Sequence, residues 1–227
     1  MLRNDLNIIF NDNFNEDLFN GSPLIPLGIE RLTFGKNFNK PLGYIGFGSY
    51  LPLSVKSIEL SDKFNQSIDF LPNGLTNLQF SKNSVFNMLI TRWPNELEIL
   101  RFGDNFNTPL YSLPPNLKIL EFGNNFNQPI NPLIYPKKLF TISFGNAFNQ
   151  YIDDLPDSVE NIKLGSDFNQ EIFYLPRNLK YIEFGSNFNK KNIFNIFPQS
   201  IKKIKIHKAF QFTDEICEKF GEFLSVY

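Results

Sequence analysis

The stretch Leu113-Pro114-Pro115-Asn116-Leu117-Lys118-Ile119-Leu120-Glu121-Phe122-Gly123-Asn124-Asn125-Phe126-Asn127-Gln128-Pro129-Ile130 decides the fold, because its pattern returns along nearly the whole chain. Leu120 and Phe122 are separated by one residue, the period of a strand that turns alternate side chains to one face. Pro114 sets an extended or turn approach and cannot stand inside a central ladder. Gly123 follows the strand where the chain leaves the sheet, which predicts a tight turn there. Phe126 and Ile130 then fold inward from a return arm.

Outward from this unit, the pair Phe-Asn recurs at Phe14, Phe38, Phe64, Phe86, Phe106, Phe126, Phe148, Phe168 and Phe188, with a degenerate Phe210-Gln211. From Phe64 onward the spacing is 20 or 22 residues, and the first two gaps are 24 and 26. The residue that ends each strand is Phe10, Phe34, Leu60, Phe80, Phe102, Phe122, Phe144, Leu164, Phe184 or Ile206. A proline stands eight residues before nearly all of these, from Pro26 to Pro198, and a glycine follows six of them. The fourth unit departs, with Ser81 for glycine and Asn83-Ser84-Val85 before Phe86; the ninth shifts its apolar residue by one, to Ile193.

A unit this short cannot bury its apolar face alone, but stacked units share one continuous core. The pattern predicts a mainly β, right-handed solenoid over residues 1–211, with one short parallel strand per repeat of 20–22 residues. Strands ~4.8 Å apart give about ten units a length of roughly 45 Å. The return arms are too short for a developed helix and should be extended segments, turns and brief 3₁₀ pieces. The Asn after each Phe should bond turn backbone groups or stack into a ladder.

Both core ends need closing. Within residues 212–227, Phe212, Ile216, Phe220, Phe223 and Leu224 lie at helical spacing, and Thr213-Asp214-Glu215 reads as N-cap and first turn. A capping helix over 213–225 follows, with Cys217 in or beside its apolar face. At the other end Leu6-Asn7-Ile8-Ile9-Phe10 is left as an open edge strand, which predicts a homodimer or a docked partner there.

These units resemble the FNIP repeat, a leucine-rich-repeat relative named for Phe-Asn-Ile-Pro and abundant in social amoebae and in giant viruses that infect amoebae. The resemblance covers residue 6 to about 211 and implies a leucine-rich-repeat-like solenoid that binds proteins. Family members often carry an F-box ahead of the repeats; here the first strand begins near Leu6, and no F-box is expected.

The chemistry-bearing residues are few. Lys and Arg number 22 against 23 Asp and Glu, with no basic stretch, which argues against nucleic-acid partners. The single cysteine, Cys217, and single histidine, His207, leave no zinc or His-based metal cluster, no catalytic constellation and no cofactor site in view. Glu59 and Glu121 would lie three strands or ~14 Å apart, too far for paired carboxylate catalysis. No apolar run is long enough to span a membrane, and no secretory signal opens the chain, so a cytoplasmic protein is expected, in the host cytoplasm if viral.

Two surfaces are left for a partner. On the outward sheet face, Ile99, Ile119, Phe140 and Tyr181 with Arg101 and Glu121 have the aromatic, apolar and arginine mixture of interface centres. The insertion Gly43–Tyr50 reads as a flexible loop excursion that either tucks its aromatics against the solenoid or presents Tyr44, Phe47 and Tyr50 for binding. The expected function is a non-enzymatic protein-interaction scaffold. The alternatives are a substrate-recognition subunit of a ubiquitin ligase that recruits its core through another chain, and a self-assembling structural protein.

Overall fold

The computed structural model describes residues 2–4 and 6–227. Short strands repeat as the columns require: β1 (Leu2–Asn4), β2 (Asn7–Ile9), β3 (Arg31–Thr33), β4 (Gly43–Tyr44), β5 (Gly48–Ser49), β6 (Ser57–Leu60), β7 (Asn77–Phe80), β8 (Ile99–Arg101), β9 (Ile119–Glu121), β10 (Thr141–Ser143), β11 (Asn161–Lys163), β12 (Tyr181–Glu183) and β13 (Lys203–Ile206). A short helix α1 (Thr213–Phe220) and a last strand β14 (Leu224–Val226) follow. All of them except β4 and β5 and the helix form one sheet of 12 strands in chain order. From β2 to β14 every pairing is parallel and in register, so that Leu100, Leu120 and Ile142 face one another across successive rungs. The mainly β, leucine-rich-repeat-like solenoid is as expected, extended to about eleven turns by β14. The return arms are turns and extended segments, with 3₁₀ pieces at Pro132–Ile134 and Lys191–Asn195. The second of these absorbs the shifted register of the ninth unit and still buries Ile193.

Stacking converts each sequence column into a physical ladder. Phe106, Phe126 and Phe148 stack at 6.0 and 6.2 Å between ring centroids. The strand-ending rings Phe102, Phe122 and Phe144 stack beside them at 5.6 and 5.5 Å. Within a unit, the two rings lie 3.8 Å apart at Phe122–Phe126. Full burial of each ring contributes about 1.5–3 kcal/mol. Rings ~6 Å apart on strands ~4.8 Å apart mean that the units fan outward from the sheet.

The Asn column is the polar counterpart. Each Oδ1 accepts the backbone N–H of the next Asn: Asn107 from Asn127 at 2.9 Å, Asn127 from Asn149 at 2.9 Å, Asn149 from Asn169 at 3.0 Å. The ladder runs from Asn15, which accepts from Asn39, to Asn189, which accepts from Gln211. The glycine column has a different cause from the turn freedom expected of it. None of its members has positive φ. A Cβ on Gly123 would instead lie 2.2 Å from the carbonyl oxygen of Gly103, and the same clash repeats at Gly145, Gly165 and Gly185. Glycine is there because consecutive units touch backbone to backbone.

Both ends differ from expectation. The β2 edge is not open: β1 doubles back and pairs with it antiparallel, Leu2 opposite Ile9. The outermost strand on that side is thus β1 rather than β2. At the other end the helix stops at Phe220, not near 225. Gly221–Phe223 forms a 3₁₀ turn, and Leu224–Val226 adds a parallel strand on β13. Thr213 is not the N-cap: Phe212 holds that position, and the Thr213 hydroxyl donates to the Phe210 carbonyl at 2.7 Å. Ile216 is the buried residue of α1, while Cys217 points to solvent rather than into the apolar face.

Candidate functional site

Between Asp17 and Glu30, and again between Lys40 and Lys56, the chain carries no charged side chain. These are the long return arms of the first two units, and their surplus residues leave the regular coil. In the first arm, Phe19 bridges antiparallel to Pro23 around Gly21, whose φ of 77° is open to glycine at no steric cost. In the second, β4 and β5 form a hairpin with Ile45-Gly46-Phe47 at its tip. The Tyr50 N–H closes its base on the Leu42 carbonyl at 2.8 Å. The insertion therefore folds as a β-hairpin. Tyr50 tucks in and stacks on Phe19 at 5.4 Å, whereas Tyr44 and Phe47 stand out in solvent.

Together the arms make an apolar surface with a cavity of about 170 Å³, walled mainly by Phe19, Ile25, Leu27, Phe47, Tyr50 and Leu51. Leu27 is 87% exposed, Leu53 80%, Ile45 79% and Phe47 78%. Seven of the twenty large hydrophobic side chains exposed among the described residues lie in these two short segments, so the concentration is local. Across Pro23 lies a polar recess lined by Glu16, Asp17 and Lys40, with Lys40 paired to Asp17 at 3.4 Å. Of the site residues read from the sequence, Tyr44, Phe47 and Tyr50 belong here. Phe19, Leu24, Leu27 and Leu53 were missed. The signal that could have found them is the absence of charge from the two longest arms.

The sheet-face group is only partly brought together. Ile99 and Ile119 are neighbours on β8 and β9, beside Arg101, whose Nε donates to Glu121 at 2.9 Å. Phe140 is not in their column: Thr141 takes that place, and Phe140 precedes β10 by one residue, level with Lys118. Tyr181 is separated from Ile119 by β10 and β11. It joins a different cluster, donating its hydroxyl to Glu183, which also meets Lys205 at 3.4 Å and Lys163 at 3.6 Å. Lys205 in turn lies 4.5 Å over the Tyr227 ring. Burial alone pushes the Glu183 carboxyl up, but the Tyr181 hydrogen bond and the two lysines outweigh it and hold it below its ordinary value. Burial, then the bond to Glu183, keeps the Tyr181 proton on well above the ordinary range. On this face Arg101 and Glu121, and Lys163, Glu183 and Lys205, are paired among themselves.

Among the described residues, no group of three or more His, Cys, Asp or Glu is placed to hold a metal ion. The Nδ1 of His207 accepts the Ala209 N–H at 3.2 Å. No helix of the described residues is long and apolar enough to cross a membrane.

Comparison with known proteins adds three findings. A family model described as FNIP Repeat matches residues 48–83, 111–147, 148–173 and 174–209, together more than half of the chain. An FNIP repeat-containing protein of Dictyostelium discoideum is 35% identical over 96 residues, covering 37% of this chain and 18% of that protein. The crystal structure of CroV588, described as a novel circular LRR protein, aligns with a TM-score of 0.62 and 27% identity over 92% of this chain and 38% of its own. The chain thus spans well under half the length of either.

Proposed function

The chain belongs to the FNIP repeat family, and from that premise we propose that it is a non-enzymatic scaffold that holds a protein partner on the apolar surface of its first two units. The observation that carries this reading is the concentration of exposed apolar side chains in residues 18–29 and 41–55 around a formed cavity. A surface of this kind is costly in water and marks a contact site. Behind it stand stacked Phe and Asn ladders, which hold the hairpin on a stiff frame and lower the ordering cost of binding. The sheet face, with Arg101 on Glu121 and two lysines on Glu183, supports a solvated surface rather than the main contact. We place its work in the cytoplasm, where the exposed Cys217 thiol stays reduced.

The test is capture of binding proteins from cell lysate, purification of the main one, and direct titration against the wild type and a Leu27→Asp/Leu53→Asp double variant. Both leucines are so exposed that the fold should melt unchanged. Saturable binding that weakens at least about tenfold in the double variant is expected. If no purified protein binds saturably, the scaffold reading fails.

A further inference from the structure

Resting on that reading, we propose that the cavity of the first two units is a socket for one aromatic ring, presented by a linear segment of the partner with Lys or Arg beside it. Size is the first argument. The cavity measures about 170 Å³, and an apolar cavity of roughly 150 Å³ is known to accept benzene. Its lining is the second. Phe19 and Tyr50, stacked at 5.4 Å, supply an aromatic wall against which a further ring packs offset or edge-on. Ile25, Leu27 and Leu51 line the rest of this half-open cavity, with no charged side chain among them.

Charge selects the flanking residue. The recess beside the cavity holds two carboxylates, Glu16 and Asp17, against one ammonium, Lys40. Lys36 offsets Asp12 at 3.7 Å and Lys40 offsets Asp17 at 3.4 Å. Among the described residues Glu16 has no cation within 4.0 Å, and it lines the recess that adjoins the cavity across Pro23. A residue next to the seated ring therefore meets negative charge.

The probes are three amidated pentapeptides, Gly-Lys-Phe-Lys-Gly, Gly-Glu-Phe-Glu-Gly and Gly-Lys-Ala-Lys-Gly, titrated into methyl-labelled protein followed by NMR. The lysine–phenylalanine peptide should shift the methyls of Ile25, Leu27 and Leu51 and bind about fivefold tighter than its glutamate counterpart at low salt. Glu16→Lys should narrow that ratio, and Leu27→Asp should abolish the shifts. The alanine peptide should leave these methyls unmoved. Equal binding of the alanine peptide, preference for the glutamate peptide, or shifts elsewhere on the molecule overturns the proposal. Self-association by light scattering that disappears in Leu27→Asp also overturns it, by assigning the surface to a second copy. If the purified partner depends on Leu27 and Leu53 while no pentapeptide moves the methyls, the socket is wrong and the scaffold reading stands. If no purified protein binds at all, it is the scaffold reading that falls.

Discussion

At the scale of single residues, two columns that look decorative in the sequence are structural necessities with different causes. Gly123 lies so close to Gly103 that a Cβ would fall 2.2 Å from its carbonyl oxygen. Gly123→Ala must push two units apart, which should cost about 1–3 kcal/mol and lower the melting temperature by roughly 2–4 °C per kcal/mol. A melt within one degree of wild type would contradict the backbone-to-backbone account. Asn127 accepts both the Asn149 N–H and the Gln150 amide at 2.9 Å. Asn127→Ala should cost about 1–3 kcal/mol, and amide exchange at Asn149 should speed up ahead of its neighbours. The columns were legible at once, and so was the hydrogen-bonding role of Asn. The cause of the glycine was not, because contact between units twenty residues apart leaves no local mark distinct from a turn.

At the scale of elements, the regular strands were readable and the ends were not. Phe212, Ile216 and Phe220 do keep helical spacing, but Leu224 and Val226 alternate as a strand does. In the fold they continue the columns of Ile204 and Ile206. That alternation over three residues was masked by the longer helical pattern that overlapped it. The β2 edge was misread for a similar reason, since Leu2–Asn4 has no partner column of its own. Strand β12 carries a test with a definite sign. The folded Glu183 carboxyl sits below its ordinary 4.5, so its contribution is full above that pH and is lost as pH falls toward the folded value. Tyr181 is raised above its ordinary 10.0, so its contribution is full below that pH and declines as pH rises past it. Urea midpoints should therefore fall less steeply with acid in Glu183→Gln, and less steeply with alkali in Tyr181→Phe. Parallel curves for wild type and variants would mean that the cluster contributes nothing.

At the scale of the whole molecule, a stack in which each unit touches only its neighbours is weakest where a rung is removed. Phe106 is buried and stacked on both Phe86 and Phe126. Phe106→Ala should cost about 3–5 kcal/mol and split unfolding into two steps by fluorescence and circular dichroism. The same change at half-buried Phe14 should cost less and leave one transition. The stack itself offers no preferred surface, for its most regular residues are buried or satisfied. What distinguishes one face is where the repeat lengthens, at residues 18–29 and 41–55. The most direct measurement of the account is hydrogen–deuterium exchange of the chain with and without its purified partner. It predicts protection concentrated in those two segments, with β8 and β9 unchanged. Protection centred on Ile99–Arg101 and Ile119–Glu121, with the hairpin exchanging freely, would contradict it.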